Sequence, residues 1–370
     1  MNHKILFIIT SFHQGGIETY LLRFLTHMKG NITPIVLCNK NKFDTEFLNK
    51  FKIYNVKIVF LPINFSFSSI IRFYKLLKTE KIITICDFRG DFSGLSLLIS
   101  WAAKIKNRIV FYRESVHQFE PTFLKSIYVK LSNFLIIKFS TKILSNSSEA
   151  FKAFFSSSAL KGKYHRVLRN GVYNENEIIK KINIRNFYGI PTDAFVVGHV
   201  GRYTPAKNHD LIISLAKKIC LKDNNYYFLL CGADIKKNIY SDIIKYNLEK
   251  NIIVPGLCKD IYSYLEALDV FLFPSYNEGQ PNALIEAMIA GVPVLASNIP
   301  SIKETVAKEM ESYLLNPEAM DDFLKQIENI KNGDIIYDTE KVKIWAQDLY
   351  SQNKRFNEFY KELLNTNYSQ

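Results

Sequence analysis

The chain has 370 residues, 48% of them hydrophobic and 22% charged, which is enough to fill two cores of ordinary size. Its net charge of +13 is uneven: residues 1–185 carry 29 Lys and Arg against 11 Asp and Glu, whereas residues 186–370 carry 19 against 24. No apolar run approaches the ~18 residues that cross a bilayer. The first apolar run, at residues 4–9, is too short for a signal peptide, so we expect a cytoplasmic chain and exclude a membrane-spanning one.

Short apolar runs alternate with helical patterns through the first half of the chain. The predicted strands are Ile5–Thr10, Thr33–Cys38, Val56–Leu61, Lys81–Cys86 and Arg108–Tyr112. This alternation predicts a doubly wound parallel sheet. Gly15 and Gly16 follow the first strand; paired glycines let the backbone approach a ligand closely, but glycine is also common in ordinary turns of this kind.

Residues 119–142 predict a helix that is both apolar and basic. One face carries Phe123, Ile127, Leu131, Phe134 and Leu135, and the lysines interleaved with it are Lys125, Lys130, Lys138 and Lys142. Because the first half of the chain has a net charge of +18, such a helix could lie on an anionic membrane surface. It could equally pack on its own sheet. No basic recognition helix, zinc spacing or RNP-like strand is present, which disfavours nucleic acid as a partner.

The second half repeats the strand and helix alternation. Its predicted strands are Phe195–Val200, Tyr227–Cys231, Ile252–Pro255, Asp269–Phe273 and Val292–Ser297. The polar segment Tyr173–Pro191 separates the halves and is the predicted hinge. We therefore predict an N-terminal domain at residues 1–175, a C-terminal domain at 176–345 and a closing helix at 346–370. The aromatic anchors assigned to that last helix are Trp345, Tyr350, Phe356 and Tyr360.

A strand-to-helix loop in the second half carries two basic residues, Arg202 and Lys207. Arg202 follows the strand Phe195–Val200 directly, and Lys207 precedes the helix predicted at residues 211–219. A departing nucleoside diphosphate carries about two to three negative charges, and without a metal it needs fixed cations of this kind. Two solvated loop cations are the simpler interpretation.

The segment from residue 274 to 297 contains two glutamates, Glu278 and Glu286. A short apolar strand precedes the segment, and a helix is predicted to begin with Pro281 at its first position and to end near Gly291. Glu278 then lies in the loop and Glu286 about one and a half turns into the helix. A lone glutamate at either position would more simply favour the helix dipole or face solvent.

The start of this helix is a candidate anion site. The amides of Asn282 and Ala283 have no partner within a helix that starts here, and the positive end of the helix dipole lies beside them. Ligands of open α/β sheets bind just outside the carboxyl ends of the strands. A nucleotide diphosphate is the obvious anion for such a site.

These motifs resemble those of the retaining GT-B glycosyltransferases of family 4, particularly bacterial transferases of capsule, exopolysaccharide and lipopolysaccharide biosynthesis. The run PSYNEGQPNALIEAMIAGVPV resembles the family signature PS-x-x-EG-x-P-N-x-L-I-E-A-x-x-x-G-x-P-V, and VGRYTPAKN resembles VGR-x-x-x-x-KN. The resemblance implies an α/β GT-B fold, in which two Rossmann-like domains face a central cleft and the final helix crosses back to the first domain.

The resemblance also implies roles for individual residues. Arg202 and Lys207 would hold the donor phosphates, Glu286 the ribose, and Glu278 the donor sugar. His117 would face the transferred sugar, although its surroundings depart from the usual family pattern. The remaining donor-site residues match the glycine loop and the helix start of the family: Gly16, Gly279, Gln280, Pro281, Asn282 and Ala283.

Several catalytic and cofactor-binding motifs are absent from the sequence, and their absence disfavours other classes of enzyme. It contains no Asp-x-Asp motif at a strand end and no metal-ligand cluster, so we expect no metal and no cofactor beyond the nucleotide sugar. G-x-G-x-x-G, P-loop and nucleophile-elbow motifs are absent. The five scattered cysteines predict reduced thiols. The resulting prediction is a hexosyltransferase-type enzyme (EC 2.4) that moves a sugar, most simply from a UDP-sugar, to a saccharide or polyprenyl-linked saccharide with retention.

Two alternatives remain open. A sugar-nucleotide epimerase or hydrolase could use the same fold and donor site. A non-catalytic scaffold could bind the inner membrane surface through the basic N-terminal half. After another predicted strand, Asp87, Arg89 and Asp91 either shape an acceptor site or form a plain surface loop.

Overall fold

The computed structural model describes residues 3–13, 15–41, 43–54, 56–113, 123–173, 182–258, 260–334 and 337–365. The chain divides into two compact units. Unit 1 consists of Met1–Gly171 and Gln352–Gln370, and unit 2 of Val172–Ser351. Much of the predicted hinge, residues 174–181, lies outside the described residues.

Unit 1 contains a seven-stranded parallel sheet within the described residues. The strands are β1 His3–Ile9, β2 Ile32–Cys38, β3 Lys57–Phe60, β4 Thr84–Asp87, β5 Asn107–Tyr112, β6 Lys142–Ser145 and β7 His165–Val167. Their order is β3-β2-β1-β4-β5-β6-β7, which is doubly wound as predicted. Strands β6 and β7 were not predicted from the sequence, because they have only four and three residues and contain polar side chains.

Helices cover both faces of this sheet. They are α1 Gly16–His27, α2 Thr45–Lys52, α3 Phe67–Thr79, α4 Gly94–Ala102, α5 Phe123–Phe139, α6 Ser148–Phe154 and, from the end of the chain, α15 Gln352–Leu364; a 3-10 turn spans Gly90–Phe92. Side chains of β1 alternate between the faces: Ile5, Phe7 and Ile9 pack with α1, α2 and α15, whereas Leu6 and Ile8 pack with α3, α4, α5 and α6. This is the period of two expected for a strand buried on both faces.

The end of the chain forms two helices, where the sequence analysis predicted one. Helix α14, Thr339–Leu349, belongs to unit 2, and α15 belongs to unit 1. The helix is interrupted at Tyr350 and Ser351, because their backbone groups bond outside the helix. Tyr350 O accepts from the amide of Val172 at 2.8 Å, and Ser351 forms a parallel β-bridge with Tyr173. Phe356 and Phe359 of α15 are fully buried in the core of unit 1.

Unit 2 contains a five-stranded parallel sheet within the described residues. The strands are β8 Phe195–Val200, β9 Tyr226–Cys231, β10 Ile252–Gly256, β11 Val270–Phe273 and β12 Val294–Ala296. The helices are α7 Ile184–Tyr188, α8 His209–Cys220, α9 Ile235–Lys245, α10 Ile261–Glu266, α11 Asn282–Ala290, α12 Pro300–Lys303 and α13 Met320–Lys331, with α14 above and 3-10 turns at Pro205–Lys207 and Lys308–Tyr313. The second predicted doubly wound sheet is therefore confirmed, and its order is β10-β9-β8-β11-β12.

The five cysteines are free thiols, as predicted, and all except Cys258 are buried. No helix in the described part of the chain is long and apolar enough to cross a membrane.

Candidate functional site

The two motifs of the second half meet at one edge of the unit 2 sheet. From β8 the chain continues to β9 and β10 on one side, and then returns to β11 and β12 on the other. The switch point between β8 and β11 is where sheets of this type bind ligands, outside the carboxyl ends of the strands. The loop after β8 contains Arg202 and Lys207, and the loop after β11 contains Glu278. The amide of Tyr276 donates to the carbonyl of Ala206 at 2.8 Å and so joins the two loops.

The loop after β8 is held by a left-handed residue and a close backbone approach. Asn208, at φ 54° and ψ 47°, accepts from the Leu211 amide as N-cap of α8 and donates to the Pro317 carbonyl at 2.9 Å. A Cβ on Gly232 would lie only 1.9 Å from the carbonyl oxygen of Gly201. Only glycine therefore fits where the β9 loop passes the β8 loop.

Lys207 and Glu278, 71 residues apart in sequence, form an ion pair at this edge. The distance between Lys207 Nζ and Glu278 Oε1 is 2.6 Å, and their side chains are 19% and 11% exposed. The same ammonium lies 4.6 Å from the centre of the Phe273 ring, at the end of β11. Arg202 is exposed on the same loop. The interpretation of Lys207 as a solvated loop cation is wrong, because a carboxylate and an aromatic ring hold it.

Helix α11 begins one residue later than predicted. Pro281 is its N-cap, in extended conformation, and Asn282 is the first helical residue. The amide of Ile285 is the first to bond within the helix, to the carbonyl of Pro281 at 3.2 Å. The amides of Asn282 and Ala283 come before this first intrahelical bond, at the positive end of the helix dipole, where anions bind.

The two glutamates differ in burial. Glu286 is only 7% exposed, so its interpretation as a solvated helix position is wrong. Gln280 is 6% exposed, whereas Glu278 and Gly279 are partly exposed. A buried carboxylate on an otherwise apolar helix costs free energy unless hydrogen-bond donors reach it. The structure thus pairs Glu278 with the loop that carries Arg202 and Lys207, the basic loop, and buries Glu286 on α11.

Two buried histidines beneath the basic loop were missed by the sequence analysis. His199 in β8 is completely buried and His209 is 2% exposed, and their rings contact edge to face with centroids 4.9 Å apart. Burial lowers the pKa of His209 to about 4 and that of His199 well below its ordinary value, with the nearby Lys207 charge acting in the same direction. Both rings are therefore neutral at neutral pH. A polar residue inside an apolar strand run was the signal that could have identified His199.

The predicted residues of the first half are in unit 1. Gly16 is exposed at the first position of α1, and a Cβ there would meet nothing within 4 Å. His117 lies outside the described residues. Gly16 therefore borders open space.

The segment that begins at the last residue of β4 is not a plain surface loop, because Asp87, Arg89 and Asp91 are all buried. Arg89 donates through Nη2 to Asp87 Oδ2 at 2.6 Å and through Nε to Oδ1 at 3.0 Å. It also donates to Asn39 Oδ1 at 3.1 Å. This network stiffens the carboxyl edge of the unit 1 sheet.

Comparison with known sequences places these motifs in one family. Residues 180–347 match the family model of the glycosyl transferases group 1. The capsular polysaccharide biosynthesis glycosyltransferase CapH of Staphylococcus aureus is 30% identical over 305 residues, which are 80% of this chain and 81% of CapH. The UDP-Gal:alpha-D-GlcNAc-diphosphoundecaprenol alpha-1,3-galactosyltransferase of Escherichia coli is 27% identical over 288 residues, covering 72% of this chain and 71% of that enzyme.

Solved structures of GT-B glycosyltransferases share the fold. HepE of Anabaena, solved with UDP and glucose, aligns with a TM-score of 0.79 and 19% identity over 98% of this chain and 99% of HepE. WaaG, a glycosyltransferase involved in lipopolysaccharide biosynthesis, aligns with a TM-score of 0.69 and 15% identity over 98% of this chain and all of WaaG (100%). The predicted GT-B fold is thereby confirmed. The chain belongs to the glycosyl transferases group 1 family and is a glycosyltransferase.

Proposed function

We propose that the enzyme transfers a sugar from a nucleotide diphosphate donor, most simply a UDP-sugar, to a saccharide or polyprenyl-linked saccharide in cell-surface polysaccharide biosynthesis. The observation that carries the proposal is the convergence of Lys207, Glu278 and the start of α11 at the switch point of unit 2. Two relatives support the substrate classes: the E. coli enzyme is named for UDP-Gal and a diphosphoundecaprenol acceptor, and HepE was solved with UDP and glucose.

The site residues divide into charge-stabilising and holding roles. Lys207, Arg202 and the backbone amides at the start of α11 stabilise the leaving diphosphate as negative charge develops on it. Glu278 orients the donor sugar and Glu286 holds the ribose. Phosphate oxygens would take over the Lys207 ammonium from Glu278, which leaves that carboxylate free to bind sugar hydroxyls. By the family resemblance, we propose retention through a front-face reaction, in which the leaving phosphate helps to deprotonate the acceptor hydroxyl. His117, by the family resemblance, lines the sugar.

Charge neutralisation by Lys207 and Arg202 also bears on cofactors. A diphosphate leaving group needs about two compensating cations or a divalent metal. Since the loop after β8 supplies both a lysine and an arginine, which are two cations, we propose that the reaction requires no metal. Transfer measured after dialysis against EDTA should be unchanged, and recovery of a lost activity by added Mg²⁺ or Mn²⁺ would contradict the proposal.

The first experiment identifies the donor and tests the cations. A panel of nucleotides and nucleotide sugars is screened by thermal stabilisation; a ligand at about 100 times its dissociation constant adds ~2.7 kcal/mol to the native state. Lys207→Ala and Arg202→Ala should each lose transfer activity, by about 10²-fold if a fixed charge on the leaving group is removed. Near-normal transfer by either variant would refute its phosphate role.

The two glutamates can be separated by what each variant loses. Glu286→Ala should weaken binding of the free nucleotide more than Glu278→Ala. Glu286 is assigned to the ribose, which is part of the nucleotide, whereas Glu278 is assigned to the transferred sugar, which the free nucleotide lacks. The opposite order, measured by calorimetric titration with UDP, would refute the assignment. Donor consumption in the absence of any acceptor would indicate a hydrolase or epimerase, and failure to bind any nucleotide sugar would favour a non-catalytic scaffold.

The acceptor proposal gains support from an exposed face of α5. Three residues of its predicted apolar stripe are exposed: Ile127, Leu131 and Phe134 are 50%, 46% and 57% exposed. Leu135 of the same predicted stripe is buried, and the side chains of Phe123 and Lys125 lie outside the described residues.

Neighbouring residues extend this exposed surface. Trp101 of α4 is 54% exposed and its ring lies 5.0 Å from that of Phe139. Lys138 Nζ lies 5.5 Å from the Phe134 ring. Lys142, however, does not belong to this face, because it is buried in β6 against Glu362. Apolar side chains beside lysines, on the half of the chain with a net charge of +18, are typical of contact with an anionic lipid surface. We propose that this face contacts the inner membrane surface, where a polyprenyl-linked acceptor resides.

Vesicle co-sedimentation tests the membrane proposal. Wild type should sediment with phosphatidylglycerol vesicles and not with phosphatidylcholine vesicles, and Leu131→Glu with Phe134→Glu should lose most of this binding. The matched control is Ile344→Glu in α14, which changes a side chain that is 61% exposed in unit 2. Equal binding by all variants, or no binding by wild type, would refute the proposal.

A further inference from the structure

The two strands that flank the proposed donor site separate at His199. Strands β8 and β9 pair along six residues, but β8 and β11 pair only at Val197 with Val270 and at Gly198 with Phe271. The next pair in register would be His199 with Leu272. At that point the pairing stops, one strand position before the loops that carry Lys207 and Glu278.

The side chain of His199 takes the place of the missing backbone pair. Its Nδ1 lies 2.9 Å from the carbonyl oxygen of Leu272, its register partner. A carbonyl only accepts, so Nδ1 carries the proton and donates. The imidazole thus bridges β8 and β11 at the switch point, one position beyond their last backbone pair.

The position of the ring is fixed by packing on three sides. It stacks on Phe271 and Phe273, with centroids 6.4 Å and 5.9 Å away and interplanar angles of 9° and 26°, and it meets His209 edge to face. Because burial keeps both imidazoles neutral, neither adds a positive charge under the basic loop. The two histidines therefore pack beneath the basic loop without adding a second centre of positive charge that could attract the anion.

The other edge of the ring faces the basic loop. A Cβ built on Gly201 would lie 2.9 Å from His199 Nε2 and 3.3 Å from Cδ and Cε of Lys207. Gly201 therefore lies next to both the His199 imidazole and the aliphatic part of the Lys207 side chain, and a larger residue there would press on both. Phe273, which stacks on His199, also lies beneath the Lys207 ammonium. The rings of His199 and Phe273 thus restrict the conformations of the Lys207 side chain.

We propose that His199 is a positioning residue for the transfer reaction: it bridges β8 and β11 where their pairing ends and fixes the Lys207 side chain where the donor diphosphate binds. This inference rests on the proposed function, since it assigns Lys207 to the diphosphate. His199 itself touches neither substrate nor reacting atoms. Its contribution passes through Lys207, and that dependence separates it from a histidine that only fills the core.

A double-mutant cycle tests this dependence. UDP affinity is measured by calorimetric titration for wild type, His199→Ala, Lys207→Ala and the double variant. We expect His199→Ala to weaken UDP binding about tenfold, which corresponds to about 1.4 kcal/mol. In the Lys207→Ala background the same substitution should cost less than twofold, because the group that it positions is already gone. Equal losses in both backgrounds, or unchanged affinity in His199→Ala, would overturn the proposal.

Two further variants distinguish a specific effect on UDP affinity from a general loss of stability. His199→Asn keeps an N–H donor near the Leu272 carbonyl and should recover part of the affinity lost in His199→Ala. Asn251→Ala removes buried side-chain hydrogen bonds, to the carbonyls of Asn224 and Tyr226, at the opposite edge of the same sheet. It should lower the melting temperature without changing UDP affinity. A loss of affinity in Asn251→Ala equal to that in His199→Ala would mean that general destabilisation explains both.

The cycle also separates the two proposals. If Lys207→Ala binds UDP as wild type does, the phosphate role of Lys207 fails, and the inference about His199 fails with it. If Lys207→Ala loses affinity and His199→Ala does not, only the inference about His199 is overturned.

Discussion

The buried histidine pair should make unit 2 sensitive to mild acid. His209 has a pKa of about 4 in the folded protein and its ordinary value of 6.5 when unfolded. Between these values the unfolded chain binds the additional proton, so the stability that the neutral ring contributes is present above pH 6.5 and is lost as the pH falls towards 4. For His209 alone, linkage gives a loss of about 2 kcal/mol in the free energy of unfolding between pH 7 and pH 5. His199 adds a loss of the same sign, because burial lowers its pKa too.

His209→Phe isolates this effect. Among the described residues neither ring nitrogen of His209 has a hydrogen-bond partner, so phenylalanine removes the titration without breaking a hydrogen bond. Any packing cost of the larger ring is independent of pH and cancels when the two pH values are compared.

The assay uses one fluorophore in unit 2. A Trp101→Phe background leaves Trp345 as the sole tryptophan of the two in the chain, and urea unfolding is followed by its fluorescence at pH 7 and pH 5. The variant should lose about 2 kcal/mol less than its parent over this interval. Equal pH dependence of the two proteins would refute the assignment of a depressed pKa to His209.

Two other substitutions test close packing and buried charge. Gly232→Ala should destabilise unit 2 by about 3 kcal/mol or more, because its Cβ would lie 1.9 Å from the Gly201 carbonyl oxygen; an unchanged melting temperature would contradict this close approach. Glu362→Leu should destabilise unit 1 by about 3–5 kcal/mol, because it strands the buried Lys142 ammonium that lies 2.7 Å from the Glu362 carboxylate. Adding Lys142→Met should restore most of the melting temperature, and failure to restore it would show that the charge is not the cause.

The fold was predictable from the sequence where proline and glycine mark the ends of apolar runs. Strand β8 was predicted with the limits that it has, and α11 within one residue, because Pro281 and Gly291 bound it. Strands β6 and β7 were not predictable by periodicity, because neighbouring strands rather than their own composition hold them in the sheet.

The candidate site was predictable only as separate motifs. The sequence identified Lys207 and Glu278 as members of two loops, but not their ion pair, because the topology of the sheet brings together residues 71 positions apart. The burial of Glu286 and His199 depends likewise on what packs over them. Lys142 was predicted on an exposed helical face, and the structure instead buries it in a strand, because α5 ends at Phe139.

The docking of α15 on unit 1 has a consequence for biosynthesis. Unit 2 is continuous in the chain, so it can complete its core once Ser351 has left the ribosome. Unit 1 is synthesised first, yet it lacks Phe356 and Phe359 until unit 2 has been synthesised, because both residues follow unit 2 in the chain. The apolar surface of α1, including Phe24, stays uncovered throughout synthesis of unit 2, because Phe359, whose ring centre lies 4.7 Å from that of Phe24 in the structure, is made only after unit 2. The unit whose synthesis begins first is thus the last to be completed, and during translation it presents an apolar surface of the kind that chaperones bind.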